Sequence, residues 1–120
     1  MNTNDTSLSD HVIEAIKLLT RSRPTEIDFE NRFADSRNFV RVNGRLSVDL
    51  YNKTTGNRIN VYINDSARQV VVTKDEDGID TVLVQRAFSF SCTAVDGQAL
   101  VDAAVHFLDL VPSEFATLSK

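Results

Sequence analysis

The spacing of apolar positions changes twice along the chain. Leu8, Val12, Ile13, Ala15, Ile16 and Leu19 recur at helical intervals, which predicts an amphipathic helix over residues 10–21. Ser9 suits its N-cap, Leu8 can staple onto Ile13, and Pro24 ends it. From Asn38 to Cys92 the period becomes two, as half-buried strands require. Leu100, Val101, Ala104, Phe107, Leu108 and Val111 then restore the helical period and predict a helix over 96–110, capped by Thr93 or Asp96 and stopped by Pro112. Ser113 and Glu114 can start a short final helix that tucks Phe115 and Leu118 onto the core.

Within the period-two stretch the strand pairing can be argued. Leu46, Val48 and Leu50 alternate with Arg45, Ser47, Asp49 and Tyr51, and Ile59, Val61 and Ile63 alternate with Arg58, Asn60, Tyr62 and Asn64. A four-residue loop, Lys53-Thr54-Thr55-Gly56, pairs Leu50 with Ile59 and Val48 with Val61. At Asn43-Gly44 a two-residue turn would set Arg41 beside Leu46 and put the apolar sets on opposite faces, so burial favours a three-residue loop that pairs Val40 with Leu46. A tight turn at Asp65-Ser66 sets Val70 opposite Val61 and Val72 opposite Ile59. After an acidic loop, Asp75-Glu76-Asp77-Gly78, a long strand from about Thr81 to Cys92 carries Val82, Val84, Phe88, Phe90 and Cys92 on one face, with Arg86 marking a bulge.

Ile27 and Phe29 alternate with Glu26, Asp28 and Glu30, which suits a charged edge strand over 26–30; Phe33 and Ala34 fit a helical turn equally well. The expected fold is α+β and two-layered: about five antiparallel, meandering strands over residues 38–92, a sixth at 26–30, and helices at 10–21 and 96–110 covering the aliphatic face. Residues 1–120 form one domain with a disordered lead-in at 1–7.

Composition narrows the function classes. The chain has 120 residues, 42% of them hydrophobic and 25% charged, close to the globular average. A single cysteine, Cys92, excludes an internal disulfide and a cysteine-based metal cluster and reads as a small core residue. No apolar run is long enough for a membrane span and Met1–Thr6 is polar, so the expected location is the cytoplasm. The net charge of −4 argues against wholesale coating of nucleic acid. Yet residues 36–74 hold seven basic against two acidic side chains, a local +5 set against −9 elsewhere.

Candidate chemistry is sparse. His106 shares a helix surface with Asp102 and Asp109, a spacing far commoner on solvated faces than in metal or acid-base sites. Residues 75–80 resemble a fragment of a calcium loop, but if Gly78 held its sixth position both anchors, Thr73 and Val84, are wrong. The isolated glycines form no phosphate loop, and Ser89 and Ser91 lack a nucleophile elbow. No catalytic residue, metal ligand or cofactor is expected.

The outward sheet face is the remaining candidate. The expected register sets Phe39, Ser47 and Tyr62 in one row, Arg41, Arg45 and Asn64 in the next, and Tyr51 opposite Arg58, so aromatics interleave with guanidinium groups. Phe39, Arg41, Arg45, Tyr51, Arg58, Tyr62 and Asn64 are therefore the candidate binding residues. They suit a non-enzymatic interaction protein that holds a protein partner on its sheet face or edge, as small inhibitors, immunity proteins and adaptors do, including those of phages and mobile elements. A free edge also makes a homodimer cheap. The alternatives are single-stranded nucleic-acid binding by the same face, and a small-molecule or enzymatic pocket near Arg86.

Overall fold

The structure is a computed structural model that describes residues 8–29, 39–42, 45–76, 79–88 and 93–118; residues 9, 29, 39–42, 75, 76, 79 and 80 enter through their backbone alone. The element order is α1 (Leu8–Ser22), β1 (Ile27–Phe29), β2 (Phe39–Val42), β3 (Arg45–Asn52), β4 (Arg58–Asn64), β5 (Gln69–Glu76), β6 (Ile79–Ala87), α2 (Ala94–Leu108) and α3 (Pro112–Thr117). All strands join one six-stranded antiparallel sheet, in which β1 and β2 share one side of β3 and β4, β5 and β6 follow on the other. The fold is the expected α+β arrangement, sixth strand included.

One face of this sheet is aliphatic because the alternation in β3 and β4 is unbroken. Leu46, Val48, Leu50, Ile59, Val61, Ile63, Val70 and Val72 are all buried, and Val12, Ile16, Leu100, Val101, Ala104 and Leu108 of the helices close over them. The other face receives no helix among the described residues.

Both long helices begin earlier than their sequence pattern indicates. Burial of Leu8 draws the first turn of α1 inward, so Ser9 lies inside the helix and is not its cap. At α2, Thr93 is the N-cap: its hydroxyl accepts from the Asp96 amide at 3.2 Å while the Asp96 carboxylate accepts from the Thr93 amide at 3.0 Å. The helix stops at Leu108, short of 110, because the β3–β4 loop takes its terminal carbonyls. The Asn57 amide donates to Phe107, Leu108 and Leu110, and the Thr55 hydroxyl donates to Leu108.

Pairing of β3 with β4 matches the expected register, Leu50 with Ile59 and Val48 with Val61, across a loop in which Gly56 takes φ +82°. Three expectations need correction. The β2–β3 register sets Arg41 opposite Leu46 and Val42 opposite Arg45, the spacing of a two-residue connection. Asn43 and Gly44 lie outside the described residues, but their Asn-Gly chemistry prevails over burial matching because β2 has only four residues to align. The β4–β5 turn uses four residues, Asp65 to Arg68, with Arg68 at φ 51°, so Val70 faces Ile63 and Val72 faces Val61. This two-residue shift keeps every side chain on its expected face.

The third correction concerns β6. Its irregularity falls at Leu83, between the pairs Val72–Val84 and Thr73–Val82, and not at Arg86. Leu83 and Val84 both pack against the core, whereas Val82 turns outward and is 41% exposed. Val82 and Val84 therefore do not share a face, and the described strand starts at Ile79 and ends at Ala87. The connection at residues 77–78, Phe90, Cys92 and the serines between them, Phe33 and Ala34, and the lead-in at 1–7 lie outside the described residues.

Candidate functional site

The uncovered sheet face is built by three complete cross-strand rows and one partial row. Arg45, Asn64, Gln69 and Ala87 form the first, Ser47, Tyr62, Val71 and Gln85 the second, and Asp49, Asn60, Thr73 and Val82 the third. Tyr51 faces Arg58 in the fourth, with Asp28 of β1 on its other side. The structure thus brings together five of the expected residues: Arg45, Tyr51, Arg58, Tyr62 and Asn64. Phe39 and Arg41 do not join them. They are in register with Val48 and Leu46 of the aliphatic rows, while Val40 and Val42 take the positions beside Ser47 and Arg45.

The centre of the face is already organised. The Asn60 amide donates to the Ser47 hydroxyl at 2.8 Å, to the Asp49 carboxylate at 3.0 Å and to the Val48 carbonyl at 3.3 Å, fixing three side chains that would otherwise fluctuate. At one end the Arg58 guanidinium lies 5.9 Å from the centroid of the Tyr51 ring, at the long limit of a cation-π contact. Tyr51, Tyr62 and Val71 are half-buried by their neighbours, and Arg45 and Arg58 are exposed. Asn60 and Val71 fall on this face by the alternation read from the sequence, although they were not among the candidate residues; Val82 was expected to share a face with Val84, and only knowledge of the bulge would have placed it here.

The local excess of basic residues does not concentrate here. Lys74 sits on the opposite side, 2% exposed, with its ammonium donating to the Phe115 and Ala116 carbonyls at 2.6 and 3.3 Å and lying 5.2 Å from the Phe115 ring. Lys53 donates to the Pro24 carbonyl at 3.1 Å and pairs with Asp28 at 3.6 Å. The face keeps Arg45 and Arg58, balanced in part by Asp49.

Other candidates dissolve into structural roles. Asp109 binds Arg23 and Asn52, Asp102 accepts from Gln98 at 2.9 Å, and the His106 ring meets Phe107 edge-on, so the imagined histidine-carboxylate site is not assembled. Arg86, opposite Val70 at the sheet's edge, is exposed. A shallow cleft of about 270 Å³ lies between α1 and the start of α2, lined by His11, Glu14, Leu18, Arg21 and Gln98 among others. Among the described residues no group of three His, Cys, Asp or Glu could hold a metal, and no helix is long and apolar enough to cross a membrane.

Comparison with protein-family models, curated proteins and solved structures found no significant match.

Proposed function

We propose that this chain is a non-enzymatic interaction protein that docks a protein partner on the uncovered face of its sheet, the role of a small inhibitor, immunity protein or adaptor. The observation carrying this reading is the asymmetry of the sheet. Two helices cover one side, while the other presents Tyr51, Tyr62 and Val71 between two exposed arginines, around a polar centre whose hydrogen bonds are made within the face. Tyrosine and arginine are the residues that most often anchor protein interfaces, and a pre-ordered surface loses little entropy on docking. Among the described residues two basic side chains, Arg45 and Arg58, lie on the face, which favours a protein over a polynucleotide, whose binding rests on many phosphate contacts. A lone cysteine in 120 residues suits a partner met in the cytoplasm.

The test compares wild-type bait with Tyr62→Ser/Arg58→Glu and with Lys17→Glu on exposed α1, each checked for an intact fold. Capture from native lysate is followed by the mass of the complex in solution. A stoichiometric protein held by wild type and Lys17→Glu but lost from the face variant supports the reading. Equal recovery by all three, or retention of single-stranded RNA or DNA at low salt in place of a protein, overturns it.

A further inference from the structure

The free side of β6 suggests a second interaction, independent of the face reading. β6 pairs with β5 along one side only, and among the described residues no strand lies along its other side. A nine-residue edge with open backbone groups invites another strand unless its shape forbids it. The bulge at Leu83 is such a shape for most partners, because it reverses the alternation halfway along. Thr81 lies in the row of buried Lys74, Val84 and Arg86 in the rows of Val72 and Val70, and Val82 and Gln85 in outward rows.

A second copy of β6 carries the same reversal. In antiparallel pairing, facing residues must project to the same side. Setting Leu83 of each copy against Val84 of the other meets that condition throughout: Val82 faces Gln85 outward and Thr81 faces Arg86 inward. A slip of one residue either way fails, since it sets outward Val82 against inward Val84 or inward Leu83 against outward Gln85. The matching register is symmetric about a two-fold axis that passes between its two Leu83–Val84 pairs. Bulge meets bulge at that axis, and the twist of one edge is the twist of the other.

We infer that the protein forms a two-fold homodimer by antiparallel pairing of β6 with β6, in the register that sets Leu83 opposite Val84. The dimer continues the sheet across the axis and makes the two uncovered faces one surface.

Sedimentation of the full chain across a wide concentration range reads the association. Wild type passes from the 13.4 kDa monomer to twice that mass. Val82→Lys/Gln85→Lys opposes like charges twice at exposed positions and stays monomeric, whereas Val82→Lys/Gln85→Glu opposes unlike charges and dimerises. With Cys92→Ser as background, Val82→Cys/Gln85→Cys oxidises to a covalent dimer, because facing Cα atoms in an antiparallel pair lie about 4.5–5.5 Å apart, within disulfide reach. Thr81→Cys/Val82→Cys does not, because in this register neither position faces itself or the other across the axis. A folded wild type that is monomeric at every concentration, a dimer that survives Lys/Lys, or equal crosslinking by both cysteine pairs overturns the inference. None of these readouts needs the face partner, so the two proposals fail separately.

Discussion

Arg23 and Asp109 grip each other through two parallel hydrogen bonds, Nη1 to Oδ2 at 3.0 Å and Nη2 to Oδ1 at 2.8 Å. The same guanidinium donates to both oxygens of Glu26 at 3.2 Å. Hydrogen bonding to Asp109 first and Glu26 second raises the Arg23 pKa above its usual value. This fork joins the residue after α1 to the C-cap of α2, and Asn52 adds a third bond to Asp109 at 3.0 Å. Asp109 is 41% exposed at its side chain, so solvent screens most of the ion pair. The larger loss comes from buried Asn52. Asp109→Ala should therefore cost about 1–3 kcal/mol, chiefly through an unsatisfied amide, and the loss should persist at high salt. Urea unfolding at two ionic strengths checks this; a loss that salt abolishes would assign the whole effect to the ion pair.

Asn57 is 4% exposed and its amide meets three carbonyls at the end of α2. Asn57→Ala removes this cap and should cost about 1–3 kcal/mol. Asn57→Asp should cost more than alanine at neutral pH, since a carboxylate there faces carbonyl oxygens. Facing them pushes its folded pKa above the unfolded value. The deficit is then absent below the unfolded pKa and grows as pH rises through the folded one. Thermal melts of both variants from pH 3 to 7 should show their order reversing or closing on acidification.

At the other end of α2 the sign is opposite. Hydrogen bonds from Thr93 lower the Asp96 pKa below 3.8. A depressed carboxyl stabilises the fold above its unfolded value and loses that contribution as pH falls through the folded value. Asp96→Asn should therefore melt below wild type at neutral pH, with the gap closing under acid conditions below about pH 4. A gap independent of pH would show that the capping box acts through shape alone.

How much of this was legible in the sequence depends on where redundancy lay. The β3–β4 register followed from two unbroken alternations and a loop of the right length, so each apolar pair confirmed the next. β2 offered only four residues, and local turn chemistry decided its register against the apolar pattern. The bulge at Leu83 left no mark in composition because Leu83 and Val84 are both apolar, and a run of aliphatics reads the same with or without it. Consequently the face was recovered at Arg45, Tyr51, Arg58, Tyr62 and Asn64, lost at Phe39 and Arg41, and missing Val82. Lys74 counted as surface charge in the sequence but is buried by α3, a contact between residues 41 apart that no local pattern encodes.

That contact makes α3 separable from the rest. Its six residues are too few to hold a helix alone, none of them is buried, and what anchors it is Phe115 packed on the core beside the Lys74 ammonium. Lys74→Met keeps the apolar stem but leaves the Phe115 and Ala116 carbonyls to water, which can reach this exposed end. Hydrogen exchange should rise across residues 112–118 with little change in β3 and β4. Phe115→Ala should do more, because it uncovers a buried lysine as well as releasing the helix, and should lower global stability by about 2 kcal/mol or more.

Close packing of the two long helices gives the last expectation. Gly97 lies where α2 crosses α1, and a Cβ placed there would stand 3.0 Å from the backbone carbon and oxygen of His11. Elsewhere in a helix, replacing glycine by alanine stabilises by about 1 kcal/mol. Here the neighbouring atoms belong to another helix's backbone and cannot turn aside, so α1 must move as a body against a core of Val12 and Ile16 that is fully enclosed. Overpacking of this kind costs about 1–3 kcal/mol, enough to cancel or exceed the propensity gain. Gly97→Ala should therefore leave the protein no more stable than wild type, and Gly97→Val should destabilise it clearly in urea unfolding. An alanine variant stabilised by the full helical increment would mean that the helices are not held at this distance.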